Sequence, residues 1–76
     1  MIDPSKTDVR PYFFDIWKKH HFPVGALALT IGVPEEMIVG MLHRKPVDRN
    51  IAEQALAKIN LWFNQNYTLE NVKINL

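Results

Sequence analysis

The side chains that could carry out acid–base, nucleophilic or metal chemistry are few and badly spaced for it. His20 and His21 are adjacent, so on a helix they point about 100° apart and cannot share a metal ion. His43 stands alone, and there is no cysteine to supply a thiolate ligand or a disulfide. Ser5 sits in a polar stretch with no histidine or acid at a spacing that would activate it. Gly25, Gly32 and Gly40 are seven or eight residues apart, which is no phosphate-cradling loop. The one carboxylate pair, Glu35 and Glu36, follows Pro34 where a helix would begin. Its charge suits the positive end of the helix dipole, at about 0.3–1 kcal/mol per residue. Catalysis, a metal site and a bound cofactor are therefore not expected, and binding is the function class that remains.

Seventy-six residues make at most one domain, close to the size where one core barely suffices. Hydrophobic residues form 47% of the chain and aromatics 11%, so Trp17, Trp62 and the phenylalanines must supply much of the buried area. Nine Lys and Arg against eight Asp and Glu leave a formal charge of +1. That excludes a strongly basic nucleic-acid coat and an acidic tail. The longest uncharged run, residues 22–34, is too short to span a bilayer. The opening Met1-Ile2-Asp3-Pro4-Ser5-Lys6 lacks the charged-then-apolar pattern of a secretory signal. A cytoplasmic protein with no membrane association is the expectation.

The elements that must position any binding surface can be read from periodicity and punctuation. Residues 1–7 are expected to form a loose arm, 8–66 the domain, and 67–76 a separate tail. A first helix is expected over 9–21, capped by Thr7 or Asp8, with Pro11 in its first turn. It would bury Val9, Phe13, Ile16, Trp17 and His20 on one face and pair Asp15 with Lys19 elsewhere. A second helix over about 23–31 is almost wholly apolar, hence mostly buried, and ends at Gly32 in the left-handed conformation. A third, about 34–43, opens on Pro34 and the two glutamates. The fourth runs from a cap at Asp48 to about Asn64, with Ile51, Ala55, Ile59 and Trp62 as its stripe. After a turn at Thr68-Leu69-Glu70-Asn71, the residues Val72, Ile74 and Leu76 alternate with Lys73 and Asn75 at strand period. A lone strand needs a partner: the arm around Ile2, or a second subunit with Trp62, Phe63 and Tyr67 beside it.

The most informative stretch is 27–42. Ala28 lies four residues before Gly32, Ile38 six after and Met41 nine after, with Ile31 and Val33 flanking the glycine. The spacing suits two short helices in close approach: a small residue at the crossing, a glycine at the turn, and apolar anchors on the second helix. The segment resembles the helix-turn-helix of the lambda-repressor/Cro-like DNA-binding family, and the likeness covers about residues 9–63. It implies an all-α, compact four-helix fold with Ala28, Gly32, Val33, Ile38 and Met41 as structural positions. It further implies a sequence-specific regulator of transcription that binds double-stranded DNA as a homodimer, with the third helix in the major groove.

Carried onto this chain, the base-reading face would be Pro34, Glu35, Glu36, Val39, Gly40 and His43. It holds no Arg, Lys, Asn or Gln, the usual readers of guanine and adenine, though a glutamate can accept from cytosine N4. Cations at the rim, namely Lys18, Lys19, Arg44, Lys45 and Arg49, are the candidates for phosphate contact, whereas Lys58 and Lys73 read as solvated surface. The third helix is also too apolar for one buried stripe. Ile38, Met41 and Leu42 can point inward, which leaves Met37 and Val39 partly outside. Those two, together with Val72, Ile74 and Leu76 of the tail, are candidates for a protein-facing surface. The alternative function is thus a protein–protein interaction or dimerisation module on the same fold, without DNA binding.

Overall fold

In the computed structural model, which describes residues 9–76, the chain is all-α, with four helices: α1 (Phe13–His20), α2 (Val24–Ile31), α3 (Glu35–Leu42) and α4 (Arg49–Phe63). α2 packs against both α3 and α4, and α1 packs against α3. The core between them comprises Phe13 and Ile16 of α1, Phe22, Leu27 and Ala28, Ile38 and Met41 of α3, Val47, and Ala52, Ala55, Leu56 and Ile59 of α4. The Phe13 and Phe22 rings meet at 5.4 Å between centroids. No helix among the described residues is long and apolar enough to cross a membrane.

α1 begins four residues later than periodicity suggests. Proline disfavours helical backbone in the residue before it, here Arg10. Tyr12 is extended (φ −78°, ψ 165°), and its N–H donates to the Asp15 carboxylate at 2.9 Å. Asp15 therefore serves the helix start rather than an ion pair with Lys19. Val9, expected on the buried face, is 91% exposed because it precedes the helix. The expected arm and the proposed caps Thr7 and Asp8 lie outside the described residues. At the other end His21 takes the left-handed conformation (φ 51°) and its N–H reaches the Trp17 carbonyl, so Pro23 is preceded by a closed helix end.

α2 and α3 are joined by Gly32, Val33 and Pro34 alone. Gly32 has φ 75°, and the Val33 N–H donates to the Ala28 carbonyl at 3.0 Å. Pro34 is the extended residue before α3 rather than its first helical one. α2 is less buried than its composition implies. Leu27 and Ala28 are in the core, but Leu29 is 82% exposed and Ala26 and Thr30 face solvent. α2 packs against α3 and α4, which leaves its side bearing Ala26, Leu29 and Thr30 open to solvent. A Cβ at residue 32 would meet no atom within 4 Å, so the position is constrained by backbone conformation alone. Gly32→Val is expected to lose at least about 1–2 kcal/mol in urea unfolding. Gly32→Asn should lose less, because asparagine tolerates the left-handed region.

α4 starts as expected. The Asp48 carboxylate accepts from the Asn50 N–H at 2.8 Å, and Asn64 closes the helix in the left-handed conformation. Its buried stripe is Ala52, Ala55, Leu56 and Ile59; Ile51 is half-buried and Trp62 turns outward. The two alanines let α4 lie close against its neighbours, which displaces the bulky flank of the stripe to the rim.

The tail finds its partners within the chain. The turn at 68–71 is present: the Thr68 carbonyl accepts from Asn71 and Val72 N–H groups, and the Asn71 side chain accepts from the Thr68 N–H. Beyond it there is no strand among the described residues, only one parallel bridge between Tyr12 and Lys73, whose N–H donates to the Pro11 carbonyl at 2.8 Å. Asn75 adds a second tie, its carbonyl accepting from the Val47 N–H at 3.0 Å. The extended residues 11 and 12 are thus the pairing partner, which is also why α1 starts late. Val72 is 1% exposed and belongs to the core, with Tyr67, Leu69 and Ile74 packed against it.

A polar junction holds the start of the tail. The Asn60 side chain clamps the Tyr67 backbone, its Oδ1 accepting from the Tyr67 N–H at 2.7 Å and its Nδ2 donating to the Tyr67 carbonyl at 2.8 Å. His20 Nε2 lies 2.8 Å from the Tyr67 hydroxyl, while its ring stacks on Phe63 at 4.6 Å. Burial pushes the Tyr67 hydroxyl up from its ordinary value of 10.0, so it stays neutral in that contact. Asn60→Ala leaves two part-buried backbone groups without partners. A loss of roughly 1–3 kcal/mol is expected by chemical denaturation, with amide exchange rising first in residues 67–76.

Candidate nucleic-acid interface

The surface that the sequence singles out is built on α3. Ile38 and Met41 enter the core, Leu42 packs against it, and Met37 and Val39 are a little over a third exposed, as the spacing predicts. With its inward side taken up, α3 presents Glu35, Glu36, Val39, Gly40 and His43 to solvent. These five residues and Lys45 line one shallow depression of about 360 Å³. Five of the six base-facing candidates, all but Pro34, are therefore brought together, with one phosphate-contact candidate, Lys45, at the edge. The C-terminus of α3 turns sharply: the Gly40 carbonyl accepts from both His43 and Lys45 N–H groups, which folds Lys45 back over Gly40.

The acidic tip is partly answered by the fold. Glu35 folds back toward the first turn of α2, its carboxylate 3.6 Å from where a Cβ of Gly25 would sit. There it faces the positive end of the α2 dipole as well as that of its own helix.

The rim cations separate into groups. Lys18 is exposed on α1, its ammonium 5.9 Å from the Phe14 ring; Phe14, Leu42, His43 and Arg44 line a second depression that shares His43 with the first. Lys19 is exposed on the same helix. Arg44 lies over the Tyr12 ring, 3.8 Å from its centroid. Arg49 is directed elsewhere. It pairs with Glu53 at 3.0 Å and lines a groove between α4 and residues 67–70, so it does not join the α3 face.

Of the protein-facing candidates, Met37 and Val39 remain on the surface and Leu76 is about half exposed. Ile74 is half-buried, and Val72 is enclosed and offers nothing to a partner. No group of three or more metal-ligating side chains occurs among the described residues. Sequence reasoning missed Tyr12 and Lys73. The Lys73 ammonium lies 5.0 Å from the centroid of the Tyr12 ring, the ring that Arg44 also covers. The usable signal was Pro11 itself, which disfavours helical backbone at Arg10 and so delays the start of α1.

No protein-family model, curated protein sequence or solved structure matches this chain.

Proposed function

We propose that this chain is a sequence-specific DNA-binding regulator of transcription, of lambda-repressor/Cro-like helix-turn-helix type, acting as a homodimer. The observation that carries this reading is the division of α3. Its Ile38 and Met41 side is locked into the core, while the opposite side lines one open surface right after a three-residue turn through a left-handed Gly32. A short, rigidly seated helix with a free outer face is what insertion into a major groove requires. Two copies would give such a small reading surface adequate affinity. With Val72 and the tail backbone engaged within the chain, a dimer contact has to come from residues left outside, among them Leu61 and Leu76.

Titration of labelled duplex fragments at about 50 and about 200 mM salt tests the proposal. Affinity is expected to fall steeply between the two, and the double substitution Arg44→Ala and Lys45→Ala should weaken binding and flatten that dependence. Absence of binding at the lower salt would sink the DNA reading. The second reading, a protein-interaction module, is favoured by the exposure of Met37 and Val39 beside the two glutamates. It predicts that Met37→Asp abolishes self-association in sedimentation while the fold is kept and duplex DNA is ignored.

A further inference from the structure

Three cations from distant parts of the sequence converge around Tyr12. Arg44 follows α3, Lys73 belongs to the tail, and Arg10 precedes Tyr12 by two residues. The Arg44 guanidinium and the Lys73 ammonium lie 3.8 and 5.0 Å from the centroid of one ring. Their charges are therefore within about 9 Å of each other, comparable to the Debye length at physiological salt. Arg10, Tyr12, Lys73 and Asn75 line one polar depression of about 310 Å³, and an Arg10 guanidinium N–H donates to the Glu70 carbonyl at 3.4 Å.

The cluster is built rather than incidental. Arg44 is held at φ 63°, a conformation that costs a β-carbon residue about 1–2 kcal/mol. Asn75 fastens both sides of that loop, its side-chain amide donating to the Arg44 carbonyl and its own carbonyl accepting from the Val47 N–H. The guanidinium lies over the Tyr12 ring, and its planar fork of N–H donors suits two-pronged contact with a phosphate. The cluster is also continuous with the α3 surface. His43 lines both the α3 depression and the one containing Arg44, and Arg44 in turn covers Tyr12.

We infer that Arg10, Arg44 and Lys73, gathered around Tyr12, form a phosphate clamp that holds the sugar–phosphate backbone of the duplex whose groove α3 enters. The inference rests on the DNA-binding reading and adds to it two contacts, Arg10 and Lys73, that lie at or beyond the ends of the resembling segment. It also gives the tail a role in binding besides its role in folding.

The test is the slope of log K against log salt for the full chain on one duplex, measured for Arg10→Gln, Lys73→Gln, Lys73→Arg and, as a control away from the cluster, Lys58→Gln. Each neutralising change within the clamp is expected to flatten the slope by about one and to weaken binding to all duplex sequences alike. Lys73→Arg should keep the slope, and Lys58→Gln should leave it unchanged. Arg10 lies outside the core, so its variant reads the clamp even where a change at Lys73 loosens the tail. If the unaltered chain binds duplex DNA but Arg10→Gln and Lys73→Gln both keep its slope, the clamp is wrong and the DNA reading stands. If the unaltered chain binds no duplex at low salt, both are wrong.

Discussion

Deletion of residues 67–76 is expected to unfold the chain rather than to release a spare dimerisation element. The segment places Val72 in the core at 1% exposure and packs Tyr67, Leu69 and Ile74 against it. Losing Val72 alone forfeits about 1.5–3 kcal/mol of apolar burial. The deletion also removes the partners of the Pro11 carbonyl, the Val47 N–H and the Asn60 side chain. Each of those hydrogen bonds contributes about 0.5–1.5 kcal/mol net. A domain of this size has about 5 kcal/mol or little more to lose, so the sum removes the fold. Circular dichroism checks it: the shortened chain should show little helix and no cooperative melt. A sharp melt near that of the full chain would mean that the tail is dispensable.

Ile38→Ala is the second change with a large expected effect, about 2–5 kcal/mol. Ile38 is fully enclosed and, with Met41, is what fastens α3 to the core. An eight-residue helix has too few hydrogen-bonded turns to persist unaided, so α3 exists because its inward side is anchored. Weakening the anchor should therefore reduce stability and detach the outward face together. Val39→Ala, one residue along and partly exposed, should cost no more than about 0.5 kcal/mol. Urea midpoints for the pair check this; equal shifts would show that α3 is seated differently from the arrangement described.

Periodicity and punctuation carry far in this chain where local chemistry decides the outcome. Gly32 ends α2 because positive φ is cheapest for glycine, Asp48 caps α4 because its carboxylate reaches an orphan N–H, and the division of α3 into inner and outer sides follows from 3.6 residues per turn. What stayed illegible depends on contacts distant in sequence. Nothing local to Val9 shows that residues 11 and 12 are claimed by residue 73, far along the chain. The same pairing turns Val72 from a surface candidate into core. Leu29 is exposed for a related reason: hydrophobic composition says that a helix has something to bury, but not how many neighbours the topology will supply. On α3, the residues that the family resemblance assigns to the reading face, Glu35, Glu36, Val39, Gly40 and His43, line one depression. The i,i+4 spacing of Arg49 and Glu53 on α4 does signal their ion pair, whereas no spacing shows that Tyr12 collects Arg44 and Lys73.

We propose that the outer side of α3 meets duplex DNA. Amide chemical shifts of the full chain, followed by NMR while a duplex enriched from a random-sequence pool is added, test it most directly. The expected perturbations fall on residues 34–45, with a second set at Lys18, Lys19 and Tyr12 and little change on the outward residues of α4. Perturbations confined to α4, or none at saturating duplex, would contradict it.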